Sequence, residues 1–346
     1  MSFTRTILAT AILSLLSFSS FGKDDYKIAW SIYVGWMPWG YAKDAGIVDK
    51  WAKKYGITID VVQFNDYIES INQYTAGAFD GCTMTNMDAL TIPAAGGVDT
   101  TALIVGDFSN GNDGLLLKGN KNLTDIKGQN VNLVELSVSH YTLARALESI
   151  GLSERDVTVV NTSDADIVAA FSADEVTAVV TWNPLLSEIM AMPNVSKVFD
   201  SSQIPGEIID MLVVNSDTLK ADPRLGKALA GAWYETMALM QKSDAAKTAM
   251  AENSGTDLAG YKSQLAATMM FYDAKPAVDF VRGSDLEKTM KNVADFSFKH
   301  GLLGEGAADS GFIGMTFPGG KVLGSKRNIK LRFDDVYMDM AAKGAL

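Results

Sequence analysis

The sequence predicts an α/β protein of two doubly wound lobes joined by a hinge, and three observations carry that expectation. Apolar strand-like runs alternate with helical patterns of roughly 10–15 residues, the signature of βαβ units around a mostly parallel sheet. A Gly/Asn-rich stretch, SNGNDG at 109–114, interrupts the alternation, and a second series begins behind it. The chain has 346 residues and 47% apolar composition, enough for two cores.

Taken in order, YKIAWSIYV (26–34) reads as a buried strand and YAKDAGIVDKWAKKYG (41–56) as a helix closed by Gly56. ITIDVVQF (57–64) is a second strand, DYIESINQYTAG (66–77) a helix capped by Asp66, and FDGCTMT (79–85) a third strand. MDALTIPAAGG gives a short helix and TTALIVGDF (100–108) a fourth strand. The second series follows LLLKG: the turn LTDIKG (123–128), strand QNVNLVE (129–135), helix SHYTLARALESIG (139–151), strand VTVVNTS (157–163), helix ADIVAAFSA (165–173) and strand VTAVVTW (176–182). After IIDMLVVN (208–215) the chain is mainly helical and rich in Met, a pattern that suits core packing rather than a cofactor box. The last forty residues carry the basic patch SKRNIK (325–330) and a closing helix expected to pack on the first lobe.

Composition narrows the function. Arg5, the apolar run ILATAILSLLSF (7–18) and a small-x-small site before Lys23 describe a secretory leader cleaved after about Gly22. The run is shorter than the roughly 20 residues that span a bilayer, and no Cys near the site offers a lipid anchor. The expected location is therefore the periplasm. Net charge is −11, and −12 once Arg5 leaves, which argues against nucleic acid as a partner. Cys82 stands alone and reads as a small buried hydrophobe. With only His140 and His300, and no HExxH, CxxC, GxGxxG or GxSxG, the chain lacks the usual parts of a hydrolase or metal enzyme. No metal or cofactor is expected, and the protein is not expected to be an enzyme.

The second unit contains TDIKGQNV, SxxH opening a helix, L-x3-L-x3-GL-x3-DV, aspartates before ADIVAAF, and VTAVVTWNP. This run resembles the substrate-binding proteins of ABC importers for nitrate, sulfonates, taurine and thiamine precursors. VGWMPW, WAKKYGI, the stretch from NDYIES to LIVGD, and VELSVSHYTLARALE resemble more closely the subgroup assigned to urea and associated with urea/guanidine carboxylase. The resemblance implies the type II periplasmic-binding-protein fold, a small-molecule ligand, an inner-membrane ABC permease as partner and a monomeric protein. It places the first lobe at 25–111 plus 214–346 and the second at 116–209. The crossings near 110–114 and 210–214 form the hinge, with Gly111 and Gly114 able to absorb backbone rotation.

Ligands of doubly wound sheets sit beyond the carboxyl ends of strands. The candidates there are Tyr33, Trp36, Trp39, Asp66, Asn86, Asp88, Glu135, Ser139, His140, Trp182, Asn183 and Asp210. Aromatics, carboxylates, amides and hydroxyls abound, whereas Lys and Arg are missing from the set. An anion receptor would use basic side chains and a free helix N-terminus. Aromatic faces with carboxylates suit a small planar cation or a neutral N–H-rich molecule. A buried carboxylate left unpaired costs several kcal/mol, which favours guanidinium over urea. A sulfonate, nitrate or thiamine-precursor ligand is the alternative, and an enzyme on the same fold the remote one. Asp88 and Glu135 are the preferred carboxylates, with Arg145 expected to hold Glu135. Asp66 also suits an N-cap, His140 a cap-region hydrogen bond, and Asp164 and Asp166 the caps of the following helix. Trp30, Trp51 and Trp233 are expected to pack in the interior.

Overall fold

The computed structural model describes residues 23–346, so the expected leader lies outside the described residues. Strands β1 (Asp25–Ser31), β2 (Thr58–Phe64), β3 (Gly81–Thr85) and β4 (Thr100–Ser109) belong to a first sheet. The chain then crosses into a second sheet of β5 (Asp113–Lys118), β6 (Asn130–Leu133), β7 (Thr158–Asn161), β8 (Ala178–Trp182) and β9 (Val195–Asp200). It returns to the first sheet with β10 (Ile209–Asn215), followed by β11 (Thr268–Met270), β12 (Gly314–Phe317), β13 (Lys321–Leu323) and β14 (Ile329–Phe333). The orders are β13-β12-β14-β4-β10-β3-β1-β2, with β11 beside β4, and β7-β6-β8-β5-β9. Among the described residues no helix is long and apolar enough to cross a membrane.

Both sheets are mixed, and the expectation of mostly parallel sheets needs a qualification. β5 runs antiparallel to both its neighbours, and so does β10. These are the strands by which the chain enters a lobe from the other one. Because each starts at the cleft, it runs against strands that end there. The ligand-facing end of β5 and β10 is therefore the amino end.

Two local differences from the sequence reading bear on the site. The helix expected over 41–56 is two helices, Met37–Asp44 and Ile47–Lys54, separated at Gly46, whose φ of 69° stops the first. The first also starts earlier, because Pro38 sits in its opening turn where a missing N–H is harmless. The closing segment forms β12–β14 as well as helix Val336–Ala342. β14 adds to β4 in parallel, and Arg332 grips Asp99 with two hydrogen bonds of 2.7 and 2.6 Å. The tail thus packs on the first lobe.

The lobes meet through several polar contacts. Asn86 binds the return crossing at both ends of its amide, donating to the Glu207 carbonyl and accepting from the Ile209 N–H. Glu207 in turn takes two hydrogen bonds from Arg145, at 2.8 and 3.0 Å, and one from Tyr141. Arg145 therefore does not hold Glu135; it ties the second lobe to the hinge. In the outward crossing Gly111 has a φ of 120°, while Gly114 lies inside β5.

Candidate functional site

The strand ends of the two sheets line a narrow cavity of about 10 Å³ between the lobes. Four rings form its walls: Tyr33 and Trp36 from the loop after β1, Tyr67 from the start of helix Tyr67–Thr75, and Trp182 from the end of β8. They pack on one another. Tyr33 meets Trp36 edge-on at 5.0 Å, Trp36 lies 5.5 Å from Tyr67, and Tyr67 meets Trp182 edge-on at 5.7 Å. The last contact joins the lobes, as does the Tyr67 N–H donating to Asp164 at 3.4 Å. Thr85, Val138, Ile208, Asp113 and Asp210 complete the lining.

Carboxylates set the electrostatics. Asp88, Asp107, Asp113 and Asp210 are all buried, at 3% exposure or less. Neither Lys nor Arg lines the cavity. Burial pushes Asp113 up to about 7, reinforced by the charge of Asp88 and opposed by a Ser109 hydrogen bond. Asp88 is raised to about 6 by burial, against hydrogen bonds from Tyr67, Thr85 and the Val138 amide. Asp107 and Asp210 are both shifted upward, burial again leading; Asp210 is shifted further because it faces the charges of Asp107 and Asp113. Gly35 is required here, since a Cβ at that position would lie 2.4 Å from Asp107 Oδ2. Among the described residues, one oxygen each of Asp88, Asp107 and Asp210 has no hydrogen-bond donor, and the Trp36 Nε1–H has no acceptor.

These shifts have a measurable consequence. A carboxyl whose folded pKa is raised contributes stability that is complete below its unfolded pKa and is lost as pH rises through the folded value. Ligand-free protein should therefore become more stable, by melting temperature, as pH falls from about 8 to about 5.5. Within that window His300 acts the other way, whereas Glu154, held low, loses its contribution only below the ordinary carboxylate range. For Glu154, burial is outweighed by the His140 hydrogen bond and the histidine charges, which hold it low. His300 is lowered mainly by burial. The aspartates outnumber this histidine, and a melting temperature that instead falls steadily from pH 8 to 5.5 would contradict the assignment.

The amino end of helix Val138–Ser149 also reaches the cavity, and its N–H donors after the first are already engaged. The Val138 amide faces Asp88, the Ser139 N–H bonds the Ser137 hydroxyl, and the His140 and Tyr141 N–H groups bond the Ser137 carbonyl. The positive end of the helix is answered by the chain's own carboxylate, which leaves little for an anionic guest.

The structure brings Tyr33, Trp36, Trp182 and Asp210 together at the cavity, with Asp88 directly behind Tyr67 through a 2.6 Å hydrogen bond. Other candidates lie elsewhere. Trp39 stacks on Trp233 at 5.2 Å, inside the first lobe, because the helix begins at Met37 and turns it inward. Asp66 caps its helix by accepting from the Glu69 N–H. Asn86 binds the return crossing, and Asn183 ties the Asn112 carboxamide to helix Leu185–Met190. Ser139 is buried next to the cavity lining without being part of it. Glu135 is exposed: β6 stops at Leu133, and a left-handed turn at Leu136, φ 63°, carries it to the surface.

His140 belongs to a separate cluster. Its Nε2 lies 2.5 Å from Glu154, whose other oxygen meets His300 of the first lobe at 2.9 Å. Such a trio could hold a metal ion by spacing alone. However, His140 Nδ1 accepts the Leu136 N–H, so the neutral ring carries its proton on Nε2 and has no lone pair to offer there. The trio is a polar link between lobes.

Asp107 and Asp113 were missed by the strand-end rule. Asp113 opens β5, whose cavity end is its amino end, and Asp107 lies two residues before the end of β4, opposite Asp210.

Comparison with known proteins places this geometry. A model of the NMT1-like family matches residues 29–253. The taurine-binding periplasmic protein of Escherichia coli (strain K12) is 23% identical over 226 residues, 63% of this chain and 68% of that one. The alkanesulfonate-binding protein of Xanthomonas axonopodis pv. citri, bound to MOPS, superimposes with a TM-score of 0.68 at 18% identity, over 82% of this chain and 96% of that one. The periplasmic aliphatic sulphonate binding protein of Escherichia coli gives 0.67 at 18% identity, over 82% and 94%. The likeness shows the type II periplasmic-binding-protein fold, and these relatives are binding proteins, in accord with the expectation of a non-enzyme. With the family model covering well over half of its length, the chain belongs to the NMT1-like family.

Proposed function

We propose that this chain is the exported solute-binding component of an ABC importer, and that its solute is a small planar nitrogen cation of the guanidinium type. The membership in the family and the periplasmic relatives support the first part. One observation carries the second: four aromatic rings and two carboxyls line a small cavity that has no basic side chain. A guanidinium can stack on a Trp or Tyr face, worth about 0.5–2 kcal/mol per contact. Its N–H groups pair with carboxylates in a planar, two-pronged geometry. Urea would fit the same walls but would leave the buried charge unanswered. Binding closes the lobes, and the closed form is the one a permease would engage.

A sulfonate such as taurine is the second reading. The relatives' own ligands support it better than they support guanidinium. The unpaired Trp36 Nε1–H would suit a sulfonate oxygen, and Asp113 or Asp210 the taurine ammonium. Nitrate has no such cationic end and is disfavoured by the carboxyls. Calorimetric titration with guanidinium, urea, taurine and nitrate separates these readings. Saturable guanidinium binding in the micromolar range is expected; taurine or nitrate binding in that range, with none for guanidinium, overturns the assignment.

A further inference from the structure

We infer that uptake of the cation is coupled to release of a proton held between Asp107 and Asp210. This rests on the cationic reading of the site. The two residues are directly opposite in the antiparallel pair β4–β10, so their side chains share one face of the sheet. Their carboxyl groups are in hydrogen-bonding contact, and each has one oxygen that no N–H or O–H of the described residues reaches. Two ionised carboxylates in contact repel, and neither supplies a donor. One proton between them removes both problems, as like-charged buried carboxyls require.

The surroundings give the pair no other partner for its charge. Tyr33 donates to Asp107 at 3.1 Å. Tyr261 and Tyr272 stand behind Asp107, and burial holds all three tyrosines in the neutral form. Asp113, from β5, adds a further acid. No Lys or Arg lines the cavity. A cation arriving against Asp113 and Asp210 supplies the positive charge that the proton provided. Asp210 then ionises, its proton passes to solvent, and the complex gains a cation while losing a proton, so its net charge is unchanged.

The test is calorimetry of the mature wild-type protein with guanidinium chloride at pH 7, in phosphate and in Tris. The two buffers take up protons with very different enthalpies. The observed enthalpy should differ between them by an amount equivalent to about one proton released per cation bound. Affinity should rise with pH, by up to about tenfold per pH unit where a full proton is displaced. In Asp107→Asn the charged neighbour of Asp210 is gone, so Asp210 ionises without help. Proton release at pH 7 should shrink, and the pH dependence should move to lower pH. Guanidinium binding with equal enthalpy in both buffers and an affinity indifferent to pH overturns the coupling but leaves the cationic ligand standing. Undiminished release in Asp107→Asn overturns the assignment to this pair. Absence of guanidinium binding at every pH overturns the cationic ligand and the coupling together.

Discussion

Asp113→Asn should weaken guanidinium binding by about 2–5 kcal/mol, roughly 30-fold or more, the usual cost of neutralising one member of a buried charge pair. Asp113 faces the cavity from the second lobe, outside the Asp107–Asp210 pair, so it is the acid best placed to meet the cation. The same change should stabilise the ligand-free protein at pH 8. Asp113 is held up to about 7 by burial, and the stability lost as it ionises is not lost by an amide. The gain is on the order of a few kcal/mol at most. Titration calorimetry and thermal melts, run at pH 8 on both proteins, measure the two effects. For a purely anionic guest the sign of the first reverses, because removing a negative charge would tighten binding.

Trp36→Ala and Trp39→Ala should separate the pocket from the core, although the residues are three apart in sequence. Trp36 is a wall of the cavity, in contact with Tyr33 and Tyr67. Its removal should weaken guanidinium binding by about 0.5–2 kcal/mol, roughly 2- to 30-fold. Trp39 is 1% exposed and stacked on Trp233, so its loss opens a core cavity costing about 3–5 kcal/mol. The folded fraction of Trp39→Ala, assayed below its lowered melting temperature, should bind guanidinium with near wild-type affinity. Equal loss of affinity in both variants would contradict the division.

Alternation of strand and helix made the two-lobe α/β architecture legible in the sequence, and the Gly/Asn-rich break marked the outward crossing. Less visible was anything that depends on strand direction. Asp113 opens a crossing strand whose cavity end is its amino end, so a rule about carboxyl ends passed over it, while Asp107 lies inside the carboxyl end of β4 rather than beyond it. Glu135 failed for a related reason: the sequence continued a strand to 135 that a left-handed turn cuts short. Trp39 was misplaced because the helix expected from 41 begins at Met37, which puts Trp39 on its buried side. The chemistry of the site was more legible than its membership. A set of aromatics and acids without Lys or Arg was expected from sequence, and the cavity lining has that character even where its individual residues differ.

The central claim, a cation seated among rings and carboxyls, is tested most directly by a crystal structure of residues 23–346 grown with guanidinium. Planar density should lie against Trp36 or Trp182, with nitrogens within hydrogen-bonding distance of Asp113 and Asp210. An empty cavity at saturating guanidinium would contradict it. So would a sulfonate held by the Trp36 Nε1–H and the amino end of helix Val138–Ser149 in crystals offered both ligands.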